Sequence, residues 1–261
     1  MKLPLHQIDA FTSRLFGGNP AAVVTLERWL PDDLLQRIAA ENNLSETAYA
    51  IPGTRVVPLR WFTPTFEIDL CGHATLAAAH VVLTYHQPGE RAVTFGTRSG
   101  ELTVAQERDM LSMDFPARPG APVPVSDALA AALRARPREA LLSRDILAVF
   151  ETEAEIRALR PDLERVAALD AMAVIATGPG SDVDFVSRFF APRAGVPEDP
   201  VTGSAHCTLI PYWSARLGKR ALRARQLSAR GGELQCEMRG DRVGIAGTVV
   251  EYLRGEITVP G

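Results

Sequence analysis

Short apolar runs separated by turn signals organise the first half of the chain, with two segments of helical spacing between them. Residues 3–11 read as a strand, Gly17-Gly18-Asn19-Pro20 as a turn and residues 21–26 as a second strand. Leu34, Leu35, Ile38 and Ala39 recur at the spacing of one helix face, so residues 31–42 are predicted helical. Pro31 suits the first turn of that helix, and Asn42-Asn43 its stop. Residues 47–51 and 57–63 read as strands. Residues 74–84 are apolar on nearly every side, which predicts a buried helix. Residues 92–95, 101–106 and 110–115 complete the half as strands.

The run Pro116-Ala117-Arg118-Pro119-Gly120-Ala121-Pro122-Val123-Pro124 interrupts this pattern. Prolines at that density do not fit inside a sheet or helix, so a domain boundary is expected there. A helix is expected from Asp127 with Ser126 as its cap. Strand and helix candidates then recur at 146–151, 153–159, 172–176, 184–190, 205–217, 222–227, 233–238 and 243–246. The two halves resemble each other. Arg60-Trp61-Phe62-Thr63-Pro64 answers Arg188-Phe189-Phe190-Ala191-Pro192, and Gly72-His73-Ala74 answers Gly203-Ser204-Ala205, each opening an apolar helix. A shared order of strand, Arg-aromatic pair, acidic loop, glycine and apolar helix points to an internal repeat.

Composition narrows the function classes. The chain has 261 residues, 46% hydrophobic and 23% charged, which suits two ordinary globular domains. A net charge of −3 offers no field for nucleic acid or an acidic membrane. Among the basic residues only Lys2 and Lys219 are lysines, and the arginines are scattered. Cys71, Cys207 and Cys236 lie far apart and are odd in number, which fits a reducing compartment rather than a disulfide framework. The N-terminal residues have no apolar signal core, and the most apolar stretch, 74–83, is too short to span a bilayer. A soluble cytoplasmic protein is expected, with no membrane and no nucleic acid as partner.

The candidate chemistry begins at the two glycine-led helix starts. A helix N-terminus presents unpaired N–H groups and partial positive charge, and glycine lets a ligand approach the backbone. Two such termini facing one cleft would bind a carboxylate or steady an enolate-like charge. Asp199 lies four residues before Gly203, in a loop held open by Pro197 and Pro200. His73 follows Gly72 and titrates near neutrality. Cys71, His73, His206 and Cys207 invite a zinc site, but Cys-x-His and His-Cys are not structural-zinc spacings, so no metal is expected. There is no Gly-x-Ser-x-Gly elbow, no Walker loop and no His-Glu-x-x-His. Gly178-Pro179-Gly180 has a proline where a dinucleotide turn would start a helix, so no nucleotide cofactor is supported. Nothing in these patterns selects Glu46 from the other carboxylates.

Ile8-Asp9-Ala10-Phe11-Thr12, Gly17-Gly18-Asn19-Pro20-Ala21-Ala22-Val23, Asn43-Leu44-Ser45-Glu46-Thr47, Leu70-Cys71-Gly72-His73-Ala74-Thr75 and Asp199-Pro200-Val201-Thr202-Gly203-Ser204-Ala205 resemble, in order, the motifs of the phenazine-biosynthesis-like (PhzF) proteins. The resemblance spans nearly the whole chain. It implies the α+β diaminopimelate-epimerase-like fold: two pseudo-symmetric domains, here 1–117 and 118–261, each a curved, mainly antiparallel sheet around a central helix, with the active site in the cleft between them. It also implies a cofactor-independent isomerase that shifts a proton on a small carboxylate-bearing substrate, and a homodimer. Glu46 matches the family's catalytic glutamate, with His73 and Asp199 beside it. Asn19, Ser45, Gly72, Gly203 and Ser204 match residues that bind substrate. Diaminopimelate epimerases place a cysteine before each glycine-led helix. Here Cys71 precedes Gly72 but Thr202 precedes Gly203, so a paired-thiol epimerase is not supported. A mixed two-base epimerase and a catalytically silent small-molecule binder stand as the alternatives.

Overall fold

The computed structural model describes residues 1–260. The chain forms two compact units. One comprises Met1–Asp114 together with the chain from Ala246 on, the other Phe115–Ile245. The architecture is mixed α+β with mostly antiparallel sheet.

The first unit contains β1 (Lys2–Ala10), β2 (Asn19–Thr25), α1 (Asp32–Asn42), β3 (Glu46–Ala50), β4 (Val56–Phe62), β5 (Glu67–Ile68), α2 (Gly72–Val81), β6 (Ala92–Thr97), β7 (Gly100–Glu107) and β8 (Met110–Pro116). Two neighbouring pairs are parallel, β2 with β3 and β4 with β6. A parallel pair needs a long crossover, and α1 and α2 supply the two. The remaining pairs, β1–β2, β3–β4, β4–β5, β6–β7 and β7–β8, are antiparallel. Helix α1 forms where its apolar residues share a face. Asp32 and Asp33 occupy its first turn, where they oppose the helix dipole, and Asn43 ends it in the left-handed conformation. Leu34, Leu35, Ile38 and Ala39 pack with Val24, Tyr49 and Phe62. Helix α2 is buried on nearly all sides and packs against β1, β2, β3 and β7. It runs on into a π-helical turn at Val82–His86.

The second unit repeats the plan. It contains β9 (Ala121–Val123), α3 (Asp127–Leu133), β10 (Glu139–Leu142), β11 (Ile146–Val149), α4 (Glu153–Ala158), α5 (Leu163–Ala167), β12 (Val174–Pro179), β13 (Phe185–Ala191), β14 (Val196–Asp199), α6 (Gly203–Leu217), β15 (Ala221–Gln226), β16 (Gly232–Arg239) and β17 (Arg242–Gly247). Again two pairs are parallel, β11 with β12 across α4 and α5, and β13 with β15 across α6. The pairs β9–β10, β10–β11, β12–β13, β13–β14 and β15–β16 are antiparallel. The order β2-β3-β4-β6-β7 therefore has its counterpart in β11-β12-β13-β15-β16, sense for sense.

The structure departs from the expected layout at three places. The last strand, Val249–Thr258, pairs antiparallel with β1 over most of its length, so the chain beyond Ala246 belongs to the first unit and not to residues 118–261. The proline run is not wholly outside the sheet: Ala121–Val123 pairs with β10, Pro122 opposite Leu141. This is a short edge strand, a place where a missing N–H is tolerated. Both apolar helices begin at their glycines, Gly72 and Gly203, rather than two residues later. Among the described residues no helix is long and apolar enough to cross a membrane.

Candidate active site

In the first unit the side chains at Asn19, Ser45, Glu46, Cys71 and His73 converge. Gly18 makes the approach to Asn19 possible. Its φ is +62°, and a Cβ there would fall 2.1 Å from the Ala10 carbonyl oxygen, so no other residue fits. Asn19 then opens β2. Glu46 opens β3 and lies opposite Ala21 in the parallel ladder. His73 comes from the first turn of α2.

The contacts run in a chain. Ser45 Oγ donates to Asn19 Oδ1 at 3.4 Å, and Asn19 Nδ2 lies 3.1 Å from His73 Nδ1. The amide nitrogen can only donate, so this arrangement suits a neutral ring with its proton on Nε2; in the charged ring Nδ1 also carries a proton, which the amide oxygen accepts once the amide is turned over. Nε2 is 2.9 Å from Glu46 Oε2. That approach lies within ion-pair reach but off the hydrogen-bond axis, so neither buried atom has a directed partner. Cys71 Sγ lies 3.5 Å from His73 Nδ1, where it can meet a second imidazole proton.

Burial pushes the Cys71 thiol up to about 11, helped by the Glu46 charge, so it is protonated at neutral pH. For His73 burial acts to lower the pKa, but the acidic partners Cys71 and Glu46 reverse the sign and hold it well above the ordinary range. With the thiol protonated, the Glu46 carboxylate is the partner we hold responsible. The ligand atoms of Glu46, Cys71 and His73 lie within 4.8 Å of one another, close enough for a metal ion. A metal would have to displace the protons from both the thiol and the imidazolium, which opposes binding.

The second unit arranges Asp199, Thr202, Gly203 and Ser204 at the start of α6. Thr202 Oγ1 donates a short hydrogen bond to Asp199 Oδ2. Ser204 Oγ lies 3.4 Å from Nη2 of Arg144, whose guanidinium is held by the buried carboxylate of Asp145 at 2.9 Å. His206 Nδ1 lies 2.8 Å from the Thr202 carbonyl oxygen, and burial lowers its pKa to about 4, so it is neutral.

Two features join Gly72 and Gly203. Neither α2 nor α6 has a side-chain cap, whereas α3, α4 and α5 are capped by Ser126, Thr152 and Asp162. The first N–H groups of α2 and α6 are therefore left to other partners. Each helix also follows a clamped strand pair. Arg60 grips Glu67 through two bonds of 2.7 Å, and Arg188 grips Glu198 at 2.7 and 2.9 Å. Each guanidinium also lies over a ring two residues on, Phe62 or Phe190.

Sequence reasoning missed Thr202, Gln226 and the Arg144–Asp145 pair. The signal for Gln226 was present. Leu222, Ala224 and Gln226 occupy the inward phase of β15, and an amide at that phase is a buried polar group that must have partners.

A hydroxyproline epimerase from Agrobacterium vitis shares this fold at a TM-score of 0.62 with 12% identity, over 98% of this chain and 92% of that one. The chain belongs to the phenazine biosynthesis-like protein family, whose model matches residues 8–255. It is 52% identical over 259 residues to an uncharacterized isomerase of Pseudomonas aeruginosa, covering 98% of this chain and 99% of that one. It matches the crystal structure of a PhzF-family phenazine biosynthesis protein from Enterococcus faecalis at 45% identity and a TM-score of 0.97, over 99% and 100% of the two chains.

Proposed function

We propose that this protein is a cofactor-independent isomerase in which Glu46 carries a proton between two carbons of a small carboxylate-bearing substrate. The observation that carries this reading is the buried pair of Glu46 and His73 at the uncapped start of α2. In the step we envisage, the Glu46 carboxylate removes a proton from one carbon. The C–H electron pair joins the π system of an adjacent substrate double bond and the carboxylate, that double bond shifts by one position, and the protonated Glu46 returns the proton on the same face to the carbon at the far end of the shift. The His73 imidazolium faces Glu46 throughout and can hold a polar group of the substrate. The unspent N–H groups at Gly72 would take the anionic charge that develops. Asn19 and Ser45 hold the His73 ring, and Asp199, Gly203 and Ser204 are assigned to binding the substrate's polar groups. On the same reading the enzyme is a cytoplasmic homodimer, which light scattering of the purified protein would check.

A two-base epimerase would need Cys71 as a proton-donating thiol in one direction and as a thiolate in the other. A thiol held near 11 in a buried position makes the second direction the harder one. The test is deuterium uptake from D2O, followed by proton NMR, across a panel of small hydroxy- and amino-carboxylic acids, both saturated and carrying a carbon–carbon double bond. Exchange at two carbons with migration of a double bond supports the isomerase. Exchange confined to one stereocentre, with inversion, supports the epimerase. Undiminished exchange in Glu46→Gln would remove Glu46 from the mechanism.

A further inference from the structure

We infer that Gln226 is a positioning residue that sets Asp199 through the hydroxyl of Thr202; the functional part of this inference rests on the role proposed above for Asp199. Gln226 is fully buried at the end of β15. Its Oε1 accepts from the Thr202 backbone N–H at 2.9 Å, while its Nε2 donates to the Asp199 carbonyl at 2.8 Å and to Thr202 Oγ1 at 3.2 Å. These partners leave no choice of amide orientation. A backbone N–H can only donate and a carbonyl can only accept, so the oxygen must face Thr202 N and the nitrogen Asp199 O.

That orientation dictates the next bond. Thr202 Oγ1 accepts a hydrogen bond from Gln226, so its own proton is free to point away, and the acceptor it meets is Asp199 Oδ2. Ordinarily a threonine preceding a helix turns its oxygen back to accept from the first turn. Thr202 does not. Its hydroxyl is diverted to the aspartate, and the amide of Gln226 takes over the Thr202 N–H. The rest of the loop is pinned in the same way: Ser228 Oγ donates to the Pro200 carbonyl at 2.8 Å, and His206 Nδ1 meets the Thr202 carbonyl at 2.8 Å. The loop from Asp199 to Thr202 is thus held by side chains from β15, the following turn and α6. A carboxylate on a loop gains the fixed aim that acid–base or binding work requires.

The test uses the full-length protein. Carboxyl carbon NMR, with the Asp199 signal assigned by Asp199→Asn, follows its titration in wild type, Thr202→Val, Thr202→Ser and Gln226→Leu. Valine keeps the shape of threonine without the hydroxyl. We expect the Asp199 midpoint to move upward in Thr202→Val, because a donor to the charged form is lost, and in Gln226→Leu, because the Thr202 hydroxyl is no longer aimed at the carboxylate. Thr202→Ser should restore the wild-type midpoint. On any acid that wild type exchanges, Thr202→Val and Gln226→Leu should slow exchange by about 10²-fold. Gln226→Leu should add little in an Asp199→Asn background, because both act through one carboxylate. An unchanged Asp199 titration in Thr202→Val overturns the inference, and so does a full loss from Gln226→Leu on top of Asp199→Asn. Should Gln226→Leu fail to fold, Gln226→Met, which keeps the length of the side chain without its amide, is titrated in its place, and an unchanged Asp199 midpoint there overturns the inference. If no acid in the panel exchanges in wild type, the proposed function fails, and the titration still decides whether Gln226 and Thr202 set Asp199.

Discussion

The two units share one plan and carry different chemistry at the corresponding place. Each has two parallel crossovers, an arginine clamp onto a glutamate, and an uncapped glycine-led helix. At the start of α2, however, the side chains are a carboxylate, an imidazole and a thiol. At the start of α6 they are hydroxyls, an aspartate and a buried amide. The repeated parts are those that aim a helix terminus. The parts that differ determine whether that terminus has a proton carrier beside it. On the reading proposed above, the carboxylate that carries the proton belongs to the first unit.

The largest expected effect tests that assignment directly. Glu46→Gln keeps the shape and removes the titrating group, so deuterium exchange should fall by at least about 10²–10⁴-fold. Asp199→Asn in the other unit should cost less. A ranking in the opposite order would place the proton chemistry at α6.

Next come the shared clamps. Arg188→Met strands Glu198 and also removes donors to the Ile156 and Leu159 carbonyls. Urea unfolding should show a loss of about 3 kcal/mol, at the low end of the range for unpairing a buried ion because Glu198 keeps some exposure. Arg60→Met should cost less, about 2 kcal/mol, because Arg98 remains 2.9 Å from Glu67. Equal losses would mean that Arg98 does not substitute.

These contrasts were partly legible in the chain itself. The paired Arg-aromatic and glycine motifs marked the repeat and both helix starts because helix termini need short, local signals. Glu46 was different. A loop glutamate before a strand looks like solvated surface, and only the family resemblance selected it. Its neighbours Asn19 and His73 come from two other elements, and no local pattern records that convergence. The strand Val249–Thr258 escaped notice because five consecutive residues from Tyr252 to Glu256 are exposed and the usual alternation is missing. The charge balance at His73 was also beyond sequence, since its sign depends on burial competing with partners a few ångströms away.

A smaller effect separates the two histidines by pH. His73 is held above its ordinary value of about 6.5. Its stabilising contribution is therefore complete below that pH and is lost as the pH rises through its folded-state value on the alkaline side. His206 is the reverse. Its pKa is lowered to about 4, so its contribution is complete above about 6.5 and fades as the pH falls from there toward about 4. Ring-proton NMR should find His73 charged and His206 neutral at pH 7. The same charge on both would erase this difference between the helix starts.

The smallest expected effect is that of Cys71→Ser. Serine occupies nearly the same volume, and the thiol is protonated near neutrality, so exchange should fall by less than about tenfold. A loss matching that of Glu46→Gln would instead make Cys71 a second base and the enzyme an epimerase.

The return of the last strand to β1 sets an order of events during synthesis. Every strand of the second unit is contiguous in the chain, so that unit can fold as soon as its residues emerge. The first unit, although made first, lacks the strand beside β1 until Val249–Thr258 arrives. Until then β1 presents an open edge, and His6 lacks the Glu251 carboxylate that lies 2.6 Å from its ring. Throughout that interval the Glu46-bearing unit is incomplete, in a form exposed to wrong pairing.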